Sequence, residues 1–259
     1  GFFVLRTLLF GPAAVAQARP RDVVILLDTS LSMQWEKLER SFAAVEHFLS
    51  RLSPRDRFGL VLFGDEARPF KDGLSPSGAA PVSEALRFVR ESYLVGGSDL
   101  GKAVAAGSGL LSRDAQAGRE RFLVLISDGR PTRGELQPRA LGRSIAQSMQ
   151  QARGGGKPPV RLFILGVGDD AAVEVLRSLA EAGDGSFAWA REGAEAGFKL
   201  RTFFDKLGQA TWKDVAMTVA GLAGIEQVLP STAGQVVYAG SDVLFAGRLV
   251  RHLGAQATV

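Results

Sequence analysis

The stretch VVILLDTSLS, residues 23–32, decides the fold. Its five branched apolar residues predict a strand buried on both faces, as in the middle of a parallel sheet. Asp28, Ser30 and Ser32 follow at alternate positions where the apolar run stops. Ligands of open α/β sheets bind beyond the carboxyl ends of central strands, and oxygen donors suit magnesium, calcium or manganese. The stretch therefore predicts a cation-binding crevice at this edge of the sheet.

Strands and helices alternate along the chain from this stretch to about residue 210, which predicts a parallel sheet with right-handed crossovers. The fold class expected is a doubly wound, mostly parallel six-stranded α/β sheet flanked by helices. The further strands are predicted over residues 57–63, 121–126, 160–165 and 186–190, with an edge strand near 67–71. The helices are predicted over residues 36–52, 81–92, 100–111, 138–152, 171–182 and 194–209.

The two ends of the chain have a different pattern from its middle. Residues 2–9 favour an extended strand, and short β-like runs around 224–229, 235–239 and 243–250 follow Trp212. This tail is too short to bury a core alone, so we expect it to pair with the N-terminal strand. The predicted organisation is residues 1–20 as strand and connector, 21–210 as the α/β domain, and 211–259 as the rest of a small accessory β unit.

Composition narrows the classes of function. The 259 residues are 46% hydrophobic and 22% charged, and the net charge of +4 is small. The arginines form no basic run interleaved with aromatics, so nucleic acid is not an expected partner. There is no cysteine, which excludes disulfides and thiolate metal sites. The N-terminal apolar run is interrupted by Arg6 and is too short to span a membrane, so we expect a strand within a fragment of a longer protein.

Three segments of the chain together resemble the von Willebrand factor type A domain and its metal-ion-dependent adhesion site. They are DTSLS at residues 28–32, GGSDL at 96–100 and ISDG at 126–129. Flanking segments, RDVV at 21–24, LSPRDRF at 52–58, LGVGDD at 165–170 and DVLFAG at 242–247, are similar to inter-alpha-trypsin inhibitor heavy chains. Bacterial proteins that join a VIT domain to a type A domain share this layout. The resemblance implies a VIT domain before residue 1.

The resemblance also implies a site. Ser30, Ser32 and Ser98 would offer hydroxyls to one divalent cation, Mg²⁺ or else Ca²⁺ or Mn²⁺, with Asp28 and Asp128 held near it. An aspartate or glutamate of a partner protein would complete the coordination shell.

Two positions depart from the family pattern, which usually has glycine at Leu31 and threonine at Ser98. Leu31, Trp35 and Asp99 are predicted to form a partner-binding rim around the cation. Trp35 is either a binding-face aromatic or a packing residue, and Asp99 is also a plausible cap of the helix that follows it.

The sequence lacks the signatures of several enzyme classes. An aspartic protease needs two matched carboxylates, a serine hydrolase needs a base beside its nucleophile, and no Gly-x-Ser-x-Gly elbow or Walker loop is present. We therefore expect a non-enzymatic, extracytoplasmic protein-binding or adhesion module, whether secreted, periplasmic or at the cell surface. The alternatives are an intracellular scaffold subunit of an ATPase or chelatase-type assembly, and a structural domain whose site binds no metal. Oligomeric state is not predicted.

Overall fold

A computed structural model describes residues 2–8, 19–153, 158–191, 203–204, 211–213, 225–229, 236–238 and 242–249. The chain divides into two units, one of Gln17–Gly208 and one that combines Gly1–Ala16 with Gln209–Val259. The domain boundaries given above, at residues 20 and 210, stay a prediction.

The described elements follow the predicted order. The strands are β1 Phe2–Leu8, β2 Arg21–Asp28, β3 Arg57–Phe63, β4 Ala67–Pro69, β5 Ser75–Pro76, β6 Glu120–Ser127, β7 Val160–Val167, β8 Phe187–Ala190, β9 Thr211–Lys213, β10 Ile225–Leu229, β11 Val236–Tyr238 and β12 Asp242–Leu249. The helices are α1 Glu36–Ser50, α2 Ala79–Arg90, α3 Leu100–Arg113, α4 Pro138–Gln151 and α5 Val173–Ala182, with a short 3-10 helix at Leu31–Met33. Of the predicted helix 194–209, all but residues 203–204 lies outside the described residues.

The larger unit contains one mostly parallel sheet with strand order β4-β3-β2-β6-β7-β8. β2 lies between β3 and β6, parallel to both, and pairs with them along its length. The doubly wound α/β prediction is confirmed. The sheet has seven strands rather than six, because the two-residue strand β5 also pairs with β3. A strand this short carries no periodicity that a sequence pattern could reveal.

Both faces of the sheet are covered. Val24 and Leu26 belong to a buried cluster with residues of α3, α4 and α5. Gly107 allows α3 to approach closely, since a Cβ there would lie 2.7 Å from the Leu26 side chain. The other face carries aromatic rings, with centroids 5.7 Å apart for Phe122 and Phe163. Burial on two sides explains why residues 23–27 of β2 are all apolar.

The smaller unit is built from antiparallel strands. β12 pairs with both β1 and β10, and β9 pairs with β11. In β12, Val243 and Phe245 are buried, whereas Leu244 between them is 54% exposed. The prediction that the N-terminal strand pairs with the tail is confirmed.

Ion pairs secure the amino-terminal ends of the parallel strands. Asp22 of β2 is fully buried and accepts hydrogen bonds from Arg57 at 2.7 Å and Arg119 at 2.6 Å. Asp56, before β3, accepts from the Arg21 guanidinium at 2.6 Å and from the Arg21 backbone N–H at 2.9 Å. Two of the segments that carry the family resemblance, RDVV and LSPRDRF, therefore hold β2 against β3.

We expect Asp56→Asn to lower the free energy of unfolding by about 3 kcal/mol at pH 7, because it removes the negative charge from the buried side of the ion pair with Arg21. Burial alone would raise the pKa of Asp56, but hydrogen bonds from Arg21 and Ser53 hold the pKa below its usual 3.8. The stabilisation is present above that usual value and is lost as the pH falls through the lowered pKa. Urea unfolding at pH 7 and at acidic pH measures the difference.

The exposed Asp72→Asn is the control, and it should change the free energy of unfolding by less than about 0.5 kcal/mol. Equal effects of the two substitutions, or a difference that stays constant under acid conditions, would contradict the assigned role of Asp56.

Candidate metal centre

The carboxylate of Asp28, at the carboxyl end of β2, joins three segments of the chain. Its Oδ1 accepts the backbone N–H of Ser30 at 2.9 Å. Its Oδ2 accepts the hydroxyls of Ser98 at 3.0 Å and Ser127 at 2.6 Å. The Oγ atoms of Ser30 and Ser32 share a hydrogen bond of 3.1 Å. The structure thus brings together the oxygens of the first and second predicted ligand segments, which lie far apart in the chain.

Burial gives this carboxylate an unusual electrostatic environment. Asp28 has no exposed surface, and burial raises its pKa above the usual value, while hydrogen bonds from Ser127 and Ser30 oppose the rise. The nearby Asp128 raises the pKa further. The hydrogen-bond donors to Asp28 named above are all neutral groups. A positive charge placed beside Asp28 would therefore favour its ionised form.

Hydrogen bonds fix the loop that carries Ser98. The Ser98 N–H donates to Thr132 Oγ1 at 2.9 Å, and the Ser98 carbonyl accepts from the backbone N–H groups of Thr132 and Arg133. Asp65 accepts from the Gly97 N–H at 3.0 Å and from Arg133 Nε at 2.8 Å. The Arg133 guanidinium and the Gly97 N–H together hold the pKa of Asp65 below its usual value. The second ligand segment, residues 96–100, is therefore held in place by Asp65 and by the loop of Thr132 and Arg133.

Asp128, the predicted acidic residue of the third segment, is bound by a lysine. Its Oδ2 accepts from Lys37 Nζ at 3.0 Å, and its Oδ1 accepts from the Arg130 N–H at 3.2 Å. Lys37 also pairs with Asp170 at 2.6 Å. Burial works against the charged form of Lys37, but hydrogen bonds to Asp170 and Asp128 outweigh it and raise the pKa of the ammonium. Asp128 is thus fully buried and already has a cationic partner.

The three residues of the predicted rim lie in different environments. Leu31 is 51% exposed and begins the 3-10 helix without a positive φ, so its backbone does not need glycine. Trp35 is 80% exposed and has a φ of 57°. Asp99 is half-buried and accepts the Lys102 N–H at 2.9 Å, which confirms its role as the cap of α3. Participation of all three in a partner-binding rim stays a prediction.

Four residues of this region were not identified from the sequence. Ser127 at the end of β6 and Thr132 in the following loop act through their hydroxyls, and such residues are common in and beside turns. Lys37 and Asp170 meet only in the folded chain. One signal for Lys37 was available, because a lysine in the first turn of a helix lies at the positive end of the helix dipole and needs compensation.

The donors at the site are oxygens only. Among the residues that the structure describes, no three histidine, cysteine or acidic side chains group together in a way that could hold a metal ion. A cation here would depend on serine hydroxyls supported by two carboxylates. Hard divalent ions accept such donors and keep water in their remaining positions.

The fold and the site define an open α/β domain with buried serine and aspartate oxygens where its parallel strands end. The von Willebrand factor type A domain matches residues 22–203. The chain belongs to this family.

Curated relatives extend the similarity to nearly the whole chain. Inter-alpha-trypsin inhibitor heavy chain H4 of Homo sapiens is 29% identical over 254 residues, which are 96% of this chain and 26% of the relative. Heavy chain H1 of Bos taurus is 27% identical over 237 residues, covering 90% of this chain and 25% of the relative. The chain spans about a quarter of the length of these relatives.

Solved structures share the fold. A von Willebrand factor type A protein from Catenulispora acidiphila has a TM-score of 0.62 and 17% identity, covering 95% of this chain and 64% of that one. The pilus adhesin SpaC from Lactobacillus rhamnosus GG, in its open conformation, has a TM-score of 0.54 and 14% identity over 96% of this chain and 41% of that one.

We expect Gly96→Ala to destabilise the protein more than Gly118→Ala. Gly96 has a φ of 69° and Gly118 a φ of 77°, so both substitutions incur the left-handed backbone cost of about 1 kcal/mol. A Cβ at Gly96 would clash with Asp65 Oδ2, whereas nothing lies within 4 Å of one at Gly118. Displacement of Asp65 should add at least about 1 kcal/mol through lost hydrogen bonds.

Urea unfolding of both variants measures the difference in the free energy of unfolding. Equal destabilisation by the two substitutions would show that Asp65 does not fasten the Ser98 loop.

Proposed function

We propose that this chain is a non-enzymatic protein-binding or adhesion module that holds one divalent cation, Mg²⁺ or alternatively Ca²⁺ or Mn²⁺. The observation that carries the proposal is that the buried carboxylate of Asp28 binds both the Ser30 backbone N–H and the Ser98 hydroxyl, with Ser32 Oγ hydrogen-bonded to Ser30 Oγ. Members of the type A family commonly bind a divalent metal and mediate protein interactions.

The residues present suit such an ion. The hydroxyls of Ser30, Ser32 and Ser98 would hold the ion, with Asp28 and Asp128 beside it directly or through water. Asp28 is a buried carboxylate with neutral hydrogen-bond donors, so a cation would relieve the cost of its burial. When bound, the ion supplies a centre of positive charge that attracts an acidic ligand.

The partner is proposed to be a protein that presents a glutamate or aspartate carboxylate. Asp128 is already paired with Lys37, so the single charge of Asp28 would leave a divalent ion incompletely neutralised, which favours a further carboxylate from outside. Leu31 and Trp35, at 51% and 80% exposure, place apolar surface in the same loop as Ser30 and Ser32. The unusual backbone of Trp35 costs about 1–3 kcal/mol, a cost that is commonly found at functional sites. Asp99 is the third proposed member of the rim.

The heavy-chain similarity favours an extracytoplasmic location over an intracellular ATPase or chelatase scaffold. Among the described residues, no helix is both long and apolar enough to cross a membrane. The third possibility, a structural domain, differs from the proposal because it predicts that no metal binds at the site.

We expect isothermal titration calorimetry to show one Mg²⁺ bound per chain, and Asp28→Ala to abolish the binding, because the substitution removes the group that assembles the hydroxyls. Ser30→Ala should weaken binding by removing one donor. The exposed Asp72→Ala, which makes the same charge change away from the site, should bind as the wild type does. No binding by the wild type at about 10 mM Mg²⁺, well above the range of weak extracellular cation sites, would favour the structural domain instead.

A further inference from the structure

The ammonium of Lys37 occupies a position among the loops of the candidate metal centre. Lys37 is the second residue of α1, and its side chain is 16% exposed. Its Nζ donates to the Ser32 carbonyl at 3.0 Å and to Asp128 Oδ2 at 3.0 Å, and it pairs with Asp170 Oδ1 at 2.6 Å. These three contacts use all the donors that an ammonium has.

Two of these contacts involve the proposed metal site directly. Ser32 and Asp128 are both residues assigned to the cation, and they come from different segments. An ammonium 3.0 Å from Asp128 neutralises much of the charge that this carboxylate could offer to a second cation. Lys37 and a divalent ion would also repel each other across a buried site, where screening by water is weak.

We propose that Lys37 competes with the divalent cation for the carboxylate of Asp128. This competition lowers the affinity of the site for the ion and keeps a bound ion more positive. The inference rests on the proposed function. Lys37 would thus have two linked effects: the site holds the ion more weakly, and the bound ion attracts an external carboxylate more strongly.

The surroundings of Lys37 separate this role from a purely structural ion pair. Asp170 has a second cationic partner, since Arg130 Nη1 lies 3.2 Å from its other oxygen. Loss of the Lys37 charge would therefore leave Asp170 paired. The Asp128 carboxylate, in contrast, would keep only the Arg130 N–H at 3.2 Å among the described residues. Removing the Lys37 ammonium thus leaves the Asp128 carboxylate, which belongs to the proposed metal site, without its cationic partner.

Calorimetric titration of the whole chain with Mg²⁺ tests the proposal. We expect Lys37→Met and Lys37→Gln to bind Mg²⁺ at least about tenfold more tightly than the wild type, because a buried like charge has been removed. Lys37→Arg keeps the charge and should stay within about threefold of the wild type. Lys71→Met makes the same change in net charge at an exposed lysine that pairs with Glu84, and it should leave the affinity unchanged.

A second measurement needs no variant. If Mg²⁺ displaces Lys37 from Asp128, saturating Mg²⁺ should raise the rate at which an amine-reactive reagent labels Lys37 in the wild type severalfold, as followed by mass spectrometry. Labelling of Lys71 should not change. This readout is available even where a Lys37 variant fails to fold.

The outcomes separate this inference from the proposed function. Equal or weaker Mg²⁺ binding by the uncharged Lys37 variants, or unchanged labelling of Lys37 at saturating Mg²⁺, would overturn the competition while leaving the metal site in place. Absence of Mg²⁺ binding in the wild type and in every Lys37 variant would overturn both.

Discussion

The buried carboxylate of Asp28 constrains the loops at the carboxyl ends of the parallel strands. A carboxylate without exposed surface must receive hydrogen bonds, and Asp28 receives them from Ser30, Ser98 and Ser127. Ser30 follows β2, Ser98 lies in the loop before α3, and Ser127 ends β6. The need to satisfy one buried acid therefore holds three distant segments together and brings the hydroxyls of Ser98 and Ser127 to the same carboxylate oxygen.

The two ends of the parallel strands use charge differently. At the amino-terminal ends, Asp22 and Asp56 are paired with arginines, so their charges are compensated inside the fold. At the carboxyl ends, Asp28 has neutral donors and Asp128 has a lysine shared with Asp170. The first arrangement stabilises the sheet. The second leaves one buried acid that a cation could neutralise, and this difference is why the candidate site lies at the carboxyl ends.

Local patterns were enough to predict much of this architecture. The apolar run before Asp28 predicted the central strand, and helical spacing predicted α1 to α5. The motif residues Asp28, Ser30 and Ser98 could be proposed because the resemblance places them in order along the chain. Lys37 could not be assigned in the same way, because its place in the first turn of α1 indicates a need for acidic partners but does not identify them. Its contact with Asp128 and Asp170 exists only after three loops have folded together.

The most direct test of the account is an anomalous difference map from crystals of this chain soaked in Mn²⁺. The account predicts a single peak within coordination distance of the hydroxyl oxygens of Ser30, Ser32 and Ser98, beside Asp28. A map with no peak among these residues at full Mn²⁺ concentration, or with Mn²⁺ bound only by exposed carboxylates such as that of Asp72, would contradict it.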